Sequence, residues 1–374
     1  MGMKYQVRLR RLVGSLAAAG ALVSCTASHP PPTVPSTATS AASTVPSSVA
    51  LSLSAALTKS PTTSPSMSAA PRKYLDAALD IMQRRAVNRA KLNWPAIRQR
   101  ALDTASGAVI PSDTYAAIAS AVGELDVNGH SRFVSLPVGP IAPSHPLGPS
   151  QLPSGKFLPG RIGYVALPGV DEPFADQYQA AGAEVMRTLQ AGHPDGWILD
   201  LRSDGGGDVW PMLAAIQPLL GSGVIGSFVS PPEPPSVVRS TPTELTQGGQ
   251  VSIRIPVAAQ QGASTDPVVV LTGPTTGSAA EFAAIVFRGR PCTTSMGSAT
   301  DGVPTGNEVI QLSDGATLIL TTAFEADRTG HVYPDAPIKP DVQIGTNYNA
   351  TWNQADPTIR AATRWLSIHR SCKP

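Results

Sequence analysis

Ser278 stands between a short apolar run, Val268 to Thr272, and a helix-forming stretch that begins at Ala279. A hydroxyl held on a tight turn at a helix start is exposed, and the free amide of the next residue can point at an oxyanion forming beside it. That is the chemistry of acyl transfer through a serine nucleophile. A strand-to-helix serine taken alone is more often only a helix cap. The second feature is Ser203-Asp204-Gly205-Gly206-Gly207, which follows the apolar run Gly196 to Leu201; consecutive glycines let backbone amides approach a ligand closely. By itself such a turn could hold a phosphate, but the Gly-Lys-Ser or Gly-Lys-Thr of a nucleotide loop does not follow it. His130, in Gly129-His130-Ser131-Arg132-Phe133, supplies an imidazole that can take and return a proton near neutral pH.

The elements that must position these groups follow from periodicity. Leu75, Ala78, Leu79 and Met82 recur at helical spacing, Trp94, Ile97 and Leu102 continue after Pro95, and Tyr115, Ile118, Ala119, Val122 and Leu125 give a third apolar face with Ser112 as its expected cap. These predict a small N-terminal helical domain over 71–135. Residues 136–160, rich in Pro and Gly, read as a connecting loop. A core over 161–374 then alternates strands and helices: strands at Ile162 to Leu167, Gly196 to Leu201, Val268 to Thr272 and Thr317 to Thr322, helices at Phe174 to Gln190 and Ala279 to Arg288. The expected fold class is α/β.

The first 25 residues combine Lys4, Arg8, Arg10 and Arg11 with an apolar run from Leu12 to Val23, too short to span a bilayer comfortably. They end in Leu22-Val23-Ser24-Cys25, which resembles a bacterial lipobox and makes Cys25 the candidate lipidation site. Residues 26–70 are mostly Ser, Thr, Pro and Ala and read as a disordered stalk, since they cannot bury enough apolar surface to offset chain entropy. The expected location is outside the cytoplasm, lipid-anchored to the cell membrane. In an oxidising compartment the remaining cysteines, Cys292 and Cys372, are a plausible disulfide. A net charge of +2, with 14% charged and 42% hydrophobic residues, allows a large core and gives no basic stripe for nucleic acid.

Together, Leu199-Asp200-Leu201-Arg202-Ser203-Asp204-Gly205-Gly206-Gly207, Thr276-Gly277-Ser278-Ala279-Ala280-Glu281 and Pro340-Asp341-Val342 resemble the C-terminal processing, or tail-specific, serine peptidase family. The resemblance covers roughly residues 72 to 345 and implies a crotonase-like (ClpP/crotonase) core. It implies Ser278 as nucleophile, with the amides of Ala279 and of Gly205 or Gly206 as oxyanion hole. One branch of the family uses a lysine base about 25 residues after the serine, but no lysine lies between Lys156 and Lys339. The other branch, which includes the tricorn core and retinoid-binding relatives, carries a histidine motif that Gly129-His130-Ser131 resembles. His130 is then the expected base, with Asp335 or Ser131 as its supporting group. No cofactor and no metal is expected, and no PDZ module separates Phe133 from Arg161. The implied partner is a peptide or unfolded protein substrate. A catalytically inactive hydrophobic-ligand-binding or scaffold lipoprotein on the same fold is the other reading, and an esterase shares the acyl-enzyme chemistry.

Overall fold

The computed structural model describes residues 66–126, 128–135, 146–256, 265–345 and 356–370, to which all structural statements refer. The signal, Cys25, the stalk up to residue 65 and Cys372 lie outside the described residues. In chain order the elements are α1 (Ala69–Arg85), α2 (Trp94–Thr104), α3 (Tyr115–Val122), β1 (Arg132–Val134), β2 (Ser154–Leu158), β3 (Ile162–Ala166), α4 (Ala175–Ala191) and β4 (Gly196–Asp200). There follow α5 (Val209–Ala215), α6 (Gln217–Leu220), β5 (Gly223–Val229), β6 (Ser236–Ser240), β7 (Glu244–Gln247), β8 (Gln250–Arg254), β9 (Val268–Thr272) and α7 (Ala279–Ile285). The chain continues through β10 (Thr293–Gly297), β11 (Thr305–Gln311), β12 (Thr317–Asp327), β13 (Val342–Gln343) and α8 (Pro357–Ile368). No described helix is long and apolar enough to cross a membrane.

One sheet has the order β13-β10-β9-β4-β3-β2 and is parallel except for β2, which pairs antiparallel with β3. Both β4 and β9 are buried along their whole length. Their side chains alternate between two cores, as a period of two requires. Trp197, Leu199, Val268 and Val270 pack toward α4, α5 and α7, whereas Ile198, Val269 and Leu271 pack with Ile359, Ala362 and Leu366 of α8. Because β4 and β9 are adjacent and parallel, the turns that leave their C-terminal ends meet at one edge of the sheet. Those are the glycine turn and the Ser278 turn.

The second sheet is antiparallel, in the order β1-β12-β5-β6-β7-β8, with β11 also paired to β12. The apolar faces of α1, α2 and α3 close over its β11–β12 hairpin, with Leu75, Leu79, Met82, Ile97 and Ile118 clustered against Leu312, Ala316, Leu318 and Leu320. At the hairpin tip Asp314 accepts the hydroxyls of Tyr74 and Tyr115, each at 2.7 Å. The β1–β12 pairing, Arg132 opposite Ile319, brings the segment after α3 onto the same sheet.

Two local expectations differ from the structure. Ser112 does not cap α3: residues 111–114 form a 3-10 turn whose start is held by the Asp113 carboxylate, which accepts the amides of Val109 and Ile110 at 2.9 and 3.0 Å. A carboxylate is the stronger acceptor of the two neighbours. Within the stretch read as a connecting loop, Ser154–Leu158 is a strand, aligned on β3 from Ser154 opposite Ala166 to Leu158 opposite Ile162.

Candidate active site

Ser278 is the residue before α7, with φ 53° and ψ −120°. That region of backbone space belongs almost entirely to glycine, so a serine there is strained by roughly 1–3 kcal/mol. The strain turns its side chain out of the capping position. Its hydroxyl makes no hydrogen bond among the described residues, and the amide of Ala279 is likewise unengaged. Capping runs the other way, since the Ser278 amide donates to Glu281 Oε2 at 2.9 Å.

Glu281, with no exposed surface, is a hub. Oε2 also accepts the Val303 amide at 2.9 Å, while Oε1 accepts the Gly302 amide at 3.1 Å and the Thr300 hydroxyl. Burial pushes this carboxyl above the usual carboxylate range and the four donors pull it back. One side chain thereby ties the Ser278 turn to the 300–305 loop. Thr276, fully buried, anchors the other end of the turn: its hydroxyl donates to the Leu201 carbonyl at 2.8 Å and accepts the Gly273 amide at 3.0 Å.

The glycine turn closes on this arrangement. A Cβ on Gly206 would stand 2.7 Å from the Gly277 carbonyl oxygen, 3.0 Å from Ser278 Cβ and 3.2 Å from the Ala279 nitrogen, and Gly206 has φ 96°. Only glycine fits. Its amide, however, donates to Asp204 Oδ1 at 2.9 Å, whereas the Gly205 amide has no hydrogen bond among the described residues. Of the three expected oxyanion donors, Ala279 and Gly205 are open and Gly206 is engaged.

His130 reaches the same region from the β1 side. Its amide donates to Asp126 Oδ1 at 2.9 Å, and its ring Nδ1 lies 2.7 Å from Thr305 Oγ1. Burial lowers the imidazole to about 4, against the opposing pull of Asp126 and Asp301. The ring is therefore neutral at physiological pH. Asp301 links it to the Ser278 turn: its backbone amide donates to the Thr276 carbonyl at 2.9 Å, and its carboxylate lies 3.2 Å from where a Gly277 Cβ would be. The nearby Asn128 side chain donates through Nδ2 to the Gly302 carbonyl at 2.7 Å.

Neither expected supporting group sits on His130 Nδ1. Asp335 Oδ1 accepts from Asn128 Nδ2 at 3.1 Å, and burial raises its carboxyl. The Ser131 hydroxyl accepts the Thr321 amide of β12 at 3.0 Å. Thr305, at the start of β11, holds the place that Asp335 was expected to take. A threonine beside a Val-Pro pair carries no sequence signal for that role. The closing Pro340-Asp341 is architectural, with Asp341 Oδ2 accepting the amide and hydroxyl of Ser295 at 2.8 and 2.9 Å. Cys292 lies just before β10, and its expected partner, Cys372, is outside the described residues. No group of three or more His, Cys, Asp or Glu side chains among the described residues could hold a metal ion.

Comparison with known proteins bears on the family and the fold. Peptidase family S41 matches residues 161–344, the span that holds both turns. The chain is 33% identical over 156 residues to the nisin-resistance protein of Lactococcus lactis subsp. lactis, covering 42% of this chain and 48% of that protein. It thus spans about half the length of that curated relative. Among solved structures, a lipoprotein from Streptococcus agalactiae superposes with a TM-score of 0.60 at 21% identity, covering 81% of this chain and 98% of that one. The photosystem II D1 C-terminal processing protease superposes with a TM-score of 0.52 at 16% identity, covering 74% and 93%. At such identities these two similarities speak for the fold alone. With Ser278 on the turn after β9 and the glycine turn after β4, residues 161–344 of this chain are a domain of peptidase family S41.

Proposed function

We propose that this protein is an extracytoplasmic serine peptidase that cleaves peptide bonds through an acyl-enzyme at Ser278, with His130 as general base. The observation that carries the reading is the strained Ser278 backbone, whose hydroxyl has no partner among the described residues and whose Cβ packs close to Gly206, next to the unengaged amide of Ala279. A backbone cost of that kind has no structural return, because the hydroxyl caps nothing. In the reaction, Ser278 Oγ bonds to the scissile carbonyl carbon while His130 takes the hydroxyl proton. The oxyanion is received by the amides of Ala279 and Gly205. The C–N bond breaks as the same proton passes to the leaving amine, and water then releases the acyl group by the reverse path. Thr305 orients the imidazole through Nδ1, leaving Nε2 for the proton transfer.

A crotonase-like core, a lipid anchor at Cys25, the 26–70 stalk and a Cys292–Cys372 bridge complete the reading, as the sequence motifs suggest. Similarity to a nisin-resistance protein favours a peptide as substrate, met at the cell envelope. The test is covalent labelling of the purified full chain with a fluorophosphonate probe, alongside hydrolysis of unstructured peptides, in wild type and Ser278→Ala. Labelling and cleavage that both vanish in the variant support the peptidase. A wild-type protein that neither labels nor cleaves, yet retains apolar ligands, would make it a binding protein. Ester hydrolysis without peptide hydrolysis would make it an esterase.

A further inference from the structure

Asp204 has no exposed surface. Its Oδ1 accepts the Gly206 amide at 2.9 Å, while Oδ2 is buried without a hydrogen-bond partner. Its main-chain carbonyl accepts the amide of Gly277 at 3.2 Å. The residue therefore grips the glycine turn with its side chain and the nucleophile turn with its backbone.

Among the described residues the surroundings offer this carboxyl no counter-charge. From the loop after β3 comes Gly169, whose added Cβ would lie 3.4 Å from Oδ1. From α4 comes Tyr178, whose hydroxyl donates to the Pro168 carbonyl and is held by burial well above the usual phenol range. The β9–α7 turn contributes Gly277 and Ser278, both uncharged. Within its own turn, the Arg202 guanidinium is committed to Asp200 and Asp356, and the Asp208 carboxylate caps α5 through the Trp210 amide. A carboxylate desolvated with one donor and no cation is disfavoured against its protonated form. Burial accordingly pushes Asp204 up to about 8.

We propose that Asp204 is a positioning residue of the acyl-transfer step that works as a neutral carboxylic acid: it fixes the Gly206 amide through Oδ1, leaves the Gly205 and Ala279 amides to the oxyanion, and keeps negative charge away from that oxyanion as it forms. The inference rests on the peptidase reading of Ser278. Loss of the Asp204 proton puts a buried negative charge beside the developing one, and like charges in a water-poor site repel strongly. Acylation should therefore fall as pH rises past the Asp204 titration, although His130 stays in its basic form throughout.

The experiment is the second-order rate of fluorophosphonate labelling of the full chain from pH 5.5 to 9.5, in wild type and Asp204→Asn, with thermal melts at each pH. In this reaction Ser278 Oγ bonds to phosphorus, fluoride leaves and His130 takes the hydroxyl proton. Asparagine keeps the acceptor for Gly206 and cannot ionise. The expected wild-type rate is level to about pH 8 and then falls about tenfold per pH unit. Asp204→Asn should stay within about threefold of wild type at pH 7 and remain level to pH 9.5. A rate in Asp204→Asn that drops by the same factor at every pH, or that keeps the alkaline fall, would overturn the proposal. So would a wild-type profile level to pH 9.5, which decides the matter even if the variant does not fold. Failure of folded wild type to label at any pH sinks the nucleophile reading itself and the proposal with it, an outcome distinct from labelling that is insensitive to pH.

Discussion

The backbone amide of Ser278 donates to the carboxylate of Glu281 at 2.9 Å, and the same carboxylate holds the amides of Gly302 and Val303. The Ser278 turn and the loop that leads to Thr305 are therefore positioned by one side chain. Exchanging Glu281 for Gln puts an amide N–H where an oxygen now accepts, so at least one backbone donor meets a donor. We expect Glu281→Gln to lose about 1–3 kcal/mol of stability, by denaturant titration, and at least about a hundredfold in fluorophosphonate labelling rate.

The strain at Ser278 separates stability from activity. Glycine accepts φ 53°, ψ −120° freely, whereas alanine does not. Ser278→Gly should therefore be more stable than Ser278→Ala, by about 1 kcal/mol in thermal or chemical unfolding, with both variants inactive. Equal stability of the two would mean that the turn relaxes and stores no strain.

Gly206 tests the close approach. A methyl group 2.7 Å from the Gly277 carbonyl oxygen and 3.0 Å from Ser278 Cβ must push one turn away from the other. Gly206→Ala should abolish labelling and lower the melting temperature, whereas Gly205→Ala, which meets nothing within 4 Å, should leave the melting temperature nearly unchanged.

His130 sets the acid limb. Its imidazole is lowered from 6.5 to about 4 by burial, so the free base persists well below neutrality and labelling should decline only as pH approaches 4. The unfolded chain takes up the proton near 6.5 and the folded one does not, so this residue lowers stability progressively as pH falls from about 6.5 to 4. His130→Gln should remove that part of the pH dependence from the melting curve. Thr305→Val, which deletes the hydroxyl on Nδ1, should cut labelling roughly ten- to a hundredfold while the protein stays folded.

Anchoring is tested by fractionation. On the proposed lipid anchor at Cys25, Cys25→Ala should move the protein from the membrane to the soluble fraction. Continued retention would point to another tether.

The central strands were legible because β4 and β9 are buried on both faces and read as unbroken apolar runs ending in turn residues. The Ser278 and glycine turns followed from those endings. By contrast β2, Ser-Gly-Lys-Phe-Leu, has no apolar alternation and exists through its pairing with β3, and β5 to β8 lie outside the strands expected from sequence. Within the site, sequence distance hid the contacts. Thr305 meets His130 across 175 positions, and Asp335, which looked like its partner, is spent on Asn128 instead. Charge and spacing could nominate a carboxylate there; they could not reveal that a hydroxyl had the shorter path.

The joining of α1 to α3 with the β11–β12 hairpin governs the order in which this molecule can be assembled. A chain synthesised from its N-terminus presents Leu75, Leu79, Met82 and Ile118 long before Leu318 and Leu320 exist to cover them. Ser131 meets its β12 partner, Thr321, only 190 residues later. The leading helices therefore wait, incompletely covered, for the β11–β12 hairpin, and His130 takes its place against Thr305 only then. The site is thus completed late, because the segment carrying His130 and Ser131 is docked by Thr305 and Thr321 on two of the last strands to emerge.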